Sequence, residues 1–161
     1  MPIMDPVSSE RLSLGPVSLS AQTPRVTKPF LIRVTAEQSS QFIDGEVHVV
    51  VTAHWNPVDP EQKTGPWFRS SLTREGASPD WGAVSNLTDP GTPVGNHLDE
   101  YFPAECELKD GQACEWRVNL DLEIAADAPP GTVDVKVDAV AQASANQEEA
   151  PRGFTVTLEA L

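Results

Sequence analysis

Strict two-residue alternation constrains this chain more than any other feature. Between Cys114 and Ile124, the residues Cys114, Trp116, Val118, Leu120, Leu122 and Ile124 occupy one phase, and Glu115, Arg117, Asn119, Asp121 and Glu123 occupy the other. Successive strand side chains point to opposite faces, so the segment reads as a β-strand with one buried face. The scheme recurs at 132–140 through Val133, Val135 and Val137, and at 154–160 through Phe154, Val156 and Leu158. Upstream, 30–36 places Phe30, Ile32 and Val34 inward, and 47–55 places Val47, Val49, Val51, Ala53 and Trp55 inward. Helical periodicity is nearly absent. Segments of this kind bury their apolar faces only against each other, which predicts an all-β chain of antiparallel sheets packed face to face.

Turn signals punctuate the alternation at Asp44-Gly45, Asp110-Gly111, "APPG" (128–131) and "ANQEEAPRG" (145–153). "RLSLGPVSLS" alternates through Leu12 and Leu14, is interrupted at Gly15-Pro16, and resumes out of phase at Val17 and Leu19. Proline removes a ladder donor, so this segment is expected at a sheet edge with a bulge or at a switch between sheets. The stretch from His54 to His97 holds six prolines together with Trp55, Trp67 and Trp81. A loop that long without structure of its own is uncommon, and short strands are expected near "PWFRSSLT" and "WGAVSNLT". A length of 161 residues fits one domain: a flexible N-terminal segment over 1–10 and a sandwich over 11–161.

"IAADAPPGTVDVKVDAVAQ", about twenty residues, resembles the strand-corner-strand unit of bacterial immunoglobulin-like and fibronectin-III-like modules, in which "PPGTxxVxVxA" recurs. The corner is held by Pro129-Pro130, which end a ladder, and by Gly131, whose backbone is permissive. The resemblance implies a single antiparallel immunoglobulin-like β-sandwich of seven to nine strands, here with a long proline-rich central region.

Both cysteines lie in "CELKDGQAC" (106–114). A redox couple calls for Cys-x-x-Cys and a zinc site for more ligands at short spacing; seven intervening residues fit neither. A hairpin centred on Lys109-Asp110-Gly111 sets Leu108 opposite Gln112 and Cys106 opposite Cys114, close enough for a disulfide. Such bonds persist mainly outside the cytosol, so an extracellular, cell-surface or periplasmic location is expected. The start "MPIMDPVSSE" lacks a signal peptide's basic and apolar regions, so the expectation is a mature form whose leader was removed.

The formal charge is −13, of which residues 81–161, with 4 basic and 15 acidic side chains, carry −11. That surface repels phosphate backbones and anionic lipid, arguing against nucleic acid and membrane insertion. No Gly-x-Ser-x-Gly or His-Glu-x-x-His is present, and His48 and His54, six strand residues apart, sit about 20 Å from each other. A non-enzymatic protein is expected. Asp89, Asp99 and Glu100, with Glu105 nearby, flank "PGTPVGNHL" and form a candidate Ca²⁺ set, although no spaced EF-hand-type loop is present. Trp55 and Trp116 fall on inward phases and read as core. Trp67, Phe68 and Trp81 lie in polar, proline-rich surroundings and are the candidate contacts for a protein partner or a glycan. The reading is therefore an exported adhesion or protein-interaction module. Its alternatives are a carbohydrate-binding module using Trp67 and Trp81, and a subunit of a surface assembly or virion in which segment 5–20 pairs with a neighbour's sheet edge.

Overall fold

The computed structural model describes residues 4–82, 84–87, 92–109 and 112–161. Ten strands run through them: β1 (Val7–Ser8), β2 (Leu12–Leu19), β3 (Arg25–Thr35), β4 (Phe42–Pro57), β5 (Trp67–Arg74), β6 (Ser85–Asn86), β7 (Val94–Glu107), β8 (Cys114–Ile124), β9 (Gly131–Ala145) and β10 (Thr155–Ala160). Two of these, β1 and β6, are two residues long, which accounts for the excess over the seven to nine expected. All pairings are antiparallel. Sheet one has the order β1-β9-β4-β7, with β2 also paired to β9, and sheet two has the order β10-β3-β8-β5-β6.

The strands pair in a nested series: β5 with β6, β4 with β7, β3 with β8 and β2 with β9. The chain is one long hairpin folded at its β5–β6 tip and then wound so that its pairs alternate between sheets. Winding adds the β4–β9 and β5–β8 contacts. This is the double-sheet jelly-roll way of closing an all-β sandwich. After β2, only the β5–β6 connection stays within one sheet. Immunoglobulin-like domains instead keep neighbours such as A and B, or F and G, in the same sheet. The antiparallel sandwich expected from alternation is what the chain adopts. Its connectivity depends on long-range pairing that local alternation does not encode.

Alternation does place the core. Phe30, Ile32 and Val34 of β3 meet Val118, Leu120, Leu122 and Ile124 of β8, all within 1% of complete burial, and Val47, Val49, Val51 and Ala53 of β4 adjoin Val133, Val135 and Val137 of β9. Each buried valine or leucine contributes about 1.5–3 kcal/mol relative to exposure. Trp55 is core as expected, and the corner before β9 needs its glycine. Gly131 has φ +150°, and a Cβ there would lie 2.5 Å from the Asn56 carbonyl oxygen and 2.8 Å from the Trp55 ring. In β2 the register against β9 shifts between Leu14 and Val17, so Gly15-Pro16 forms the bulge of an edge strand.

Three expectations change. In place of a free tail at 1–10, residues 4–9 are tied to the sandwich: Met4 is buried and its N–H donates to the Gln147 carbonyl, and Ser9 N–H donates to the Ala141 carbonyl. Segment 5–20, which the assembly-subunit alternative sets against a neighbour's sheet edge, pairs through β1 and β2 with the chain's own β9.

The disulfide Cys106–Cys114 forms, with Cα atoms 6.1 Å apart, but not across a hairpin ladder. Cys106 sits in sheet one opposite Ile43, whereas Cys114 sits in sheet two opposite Val34. Leu108 turns into the core and its carbonyl accepts from Ser40 N–H, so it does not face Gln112. Gln112 N–H donates instead to the Lys109 carbonyl, closing the turn; Asp110 and Gly111 lie outside the described residues. The staple therefore joins the two sheets at one corner.

Candidate functional site

On the outer face of sheet two, the register aligns Arg25 of β3, Glu123 of β8 and Arg69 of β5 in one row, and Thr27, Asp121 and Ser71 in the next. Arg69 Nε donates to Glu123 Oε1 at 2.9 Å, and Asp121, only 4% exposed, accepts from Thr27 Oγ1 and from Arg25 Nη2 at 3.2 Å. The segment after β5 folds back over these rows, because Asp80 N–H donates to Ser71 Oγ at 2.8 Å. That anchor sets the next residue, Trp81, above the arginines. The Arg69 guanidinium lies 4.2 Å from the Trp81 centroid and 5.1 Å from that of Trp67, and Arg25 lies 5.3 Å from Trp81. Two tryptophans distant in sequence are thus brought together around one cation. Both are half-buried.

Phe68 does not share this surface. It points inward from β5 and is completely buried, since the residue beside an outward Trp67 must face the core. Of the three aromatic candidates, the structure brings Trp67 and Trp81 together and removes Phe68. The arginines that join them carry no motif in the sequence; their role follows only from cross-strand register.

Of the calcium set, the described pair Asp99 and Glu100 does not converge. Asp99 and Glu100 are consecutive residues of β7 and project from opposite faces, and Glu100 turns back to Arg74 at 3.4 Å. Asp89 lies outside the described residues. Asp99 instead faces His48, its cross-strand partner on β4, and His97, two residues away on the same face of β7. Asp99 Oδ1 contacts His48 Nδ1, and His97 Nε2 lies 3.0 Å from the same oxygen. The two imidazoles meet edge to face with centroids 5.8 Å apart. Glu46 Oε1 lies 3.6 Å from His48 Nε2. Tyr101 follows along β7 and its hydroxyl donates to Asp44 at 3.4 Å; lost hydration first, then the Asp44 and Glu46 carboxylates, hold its phenol above the ordinary value of 10.0.

Where the sheets part between β7 and β8, a cleft of about 420 Å³ opens beside the disulfide. Its aromatic floor is Trp116 stacked on Phe102 at 5.1 Å, and its walls include Arg74, Glu105, Glu115 and Arg117. Trp116 keeps its inward phase and lines the same cleft as Cys106, but it is half-buried at this seam rather than enclosed. Gly45 makes room for it, since a Cβ there would stand 2.7 Å from the indole.

No family model and no curated protein matches the chain. Among solved structures it is similar to the cryo-EM atomic structure of Broad Bean Stain Virus, at 11% identity over 83% of this chain and 88% of that one, with a TM-score of 0.32. It is also similar to the infectious bursal disease virus VP2 subviral particle, at 7% identity over 95% of this chain and 40% of that one, with a TM-score of 0.34. Likeness at this level carries no functional argument.

Proposed function

We propose that the chain is a non-catalytic, exported interaction module of the adhesion type, and that its partner surface is the Trp67–Arg69–Trp81–Arg25 stack on the outer face of sheet two. One observation carries the reading. Three separate segments, β3, β5 and the segment after β5, converge to hold two tryptophans and two arginines in one half-exposed layer. Tryptophan and arginine are the residue types that dominate binding hot spots, and a ring held between guanidiniums loses little rotamer freedom on docking. The disulfide supports export.

An assembly subunit built by edge pairing is less well supported. The 14-residue edge strand β7 is open on the side away from β4, but it carries Pro103 and several acids, and Arg74 donates to the Tyr101 carbonyl at 2.6 Å. These features blunt an edge against added strands. For a glycan, Trp81 already has two guanidiniums against its ring, which compete with a sugar for that aromatic surface.

The test is a binding screen of the intact chain against the secreted and surface proteins of its source, run beside a glycan array. Wild type and a Trp67→Ala/Trp81→Ala variant are compared throughout. Protein binding lost in the variant supports the reading. Protein binding retained by the variant moves the site, and array binding lost in the variant establishes the carbohydrate alternative.

A further inference from the structure

We infer that His48, His97 and Asp99 form a binding site for a divalent transition-metal ion of the zinc class on the outer face of sheet one. The site lies on the opposite sheet from the partner surface and does not depend on it. Two imidazoles and one carboxylate are a donor set that suits zinc and its neighbours, and three protein ligands leave one position open to solvent. One ligand atom from each of the three residues lies within 4.8 Å of the other two. A tetrahedral ion with bonds of about 2.0–2.1 Å needs its ligand atoms about 3.3 Å apart, so side-chain rotation alone closes the site.

The scaffold is rigid where it must be. The β4–β7 ladder places His48 directly across from Asp99, and pleating returns His97 to the same face two residues away. Glu46 supplies the outer partner. Its carboxylate lies 3.6 Å from His48 Nε2, on the far side of the ring from Nδ1, which faces Asp99, so a small rotation would let it hold the outer ring nitrogen. Calcium is the wrong occupant, because it takes six to eight oxygens and this cluster offers one carboxylate and two imidazoles. Both cysteines are joined in the disulfide, so thiolate does not compete for the ion. A net charge of −13 raises the local concentration of any divalent cation.

Calorimetric titration of the intact, oxidised, tag-free chain with ZnCl₂ decides the matter, with far-UV circular dichroism to show that each variant keeps its fold. The expected result is saturation at one ion per chain, with binding at least about tenfold weaker in His48→Ala, His97→Ala and Asp99→Asn. Glu46→Gln, which keeps all three ligands, weakens binding by about tenfold. His54→Ala, on the same face of β4 but away from the cluster, binds as wild type does, and excess CaCl₂ leaves the titration unchanged. Absence of a stoichiometric site, or folded ligand variants that bind like wild type, overturns the inference.

Discussion

The two outer faces of this sandwich are assembled from similar polar residues by the same cross-strand registers, and they differ in what lies over them. On sheet two, the segment after β5 returns across the strands, shields Asp121 to 4% exposure and lays Trp81 over the arginines. On sheet one, the His48–Asp99–His97 cluster stays open, with the side chains of Asp99 and His97 50% and 60% exposed. Burial changes what an identical ion pair is worth. An exposed pair contributes about 0–1 kcal/mol, while a carboxylate stripped of water depends on every partner it has. The covered face is therefore structural, and the open face keeps its side chains accessible to solvent.

The shared interior sets the scale for testing this contrast. Val135→Asp, which drives a charge between the sheets, should destabilise by about 3 kcal/mol or more in urea titration, whereas Lys136→Ala on the adjacent outward phase should stay within about 0.5 kcal/mol. Equal losses would mean that the phase of β9 is wrong. Next comes the direct comparison of aspartates. Asp121→Ala, which strands Thr27 and Arg25, should cost about 2 kcal/mol, and Asp99→Ala in chelator-treated buffer about 0.5 kcal/mol or less. Similar costs would erase the distinction between the faces. Trp81→Ala tests the cover itself: loss of its cation–π contacts should lower stability by about 1 kcal/mol, and a much larger drop would make the ring core rather than surface.

The smallest effect is electrostatic and lies on the open face. Tyr101 is the chain's single tyrosine, so ultraviolet titration reads it alone, and its midpoint should lie above 10.0 and fall in Asp44→Asn. The folded chain holds this proton more tightly than the unfolded one. Its stabilising contribution is thus complete below the ordinary phenol range and is lost as pH rises through the raised midpoint. A wild-type midpoint at or below the ordinary value would remove the carboxylates as its neighbours.

Much of the fold was legible because burial and alternation are local. Cys114–Ile124 has the same ends in sequence and structure, and the inward residues of β3, β4 and β9 are those their phases assign. By contrast β7 was hidden, since its inward phase includes Asn96 and Glu100 and it is broken by Gly95 and Pro103. An edge strand that buries only part of one face tolerates such residues, and its hydrophobic signal fades accordingly. The His48–His97–Asp99 cluster was hidden for a related reason. His48 and Asp99 are neighbours only because β4 pairs with β7, and their sequence positions do not reveal that pairing. For the disulfide, alternation located both cysteines, but the assumption that adjacent strands share a sheet placed them in the wrong ladder.

Nested pairing also sets an order of events during synthesis. Strand β9 is the hub of sheet one, pairing with β1, β2 and β4, and it is the last but one to be made. Until residues 131–145 emerge, the early strands of that sheet lack this partner, and contacts such as that between Ser9 and Ala141, 132 residues apart, cannot close. The inner pairs close over shorter loops than the outer ones, which lowers their entropic cost, and a topology rich in such long-range pairs belongs with the slower-folding β proteins. Strand faces that wait for β9 stay uncovered for longer than those of a sandwich built of consecutive hairpins, and uncovered apolar strands are where aggregation begins.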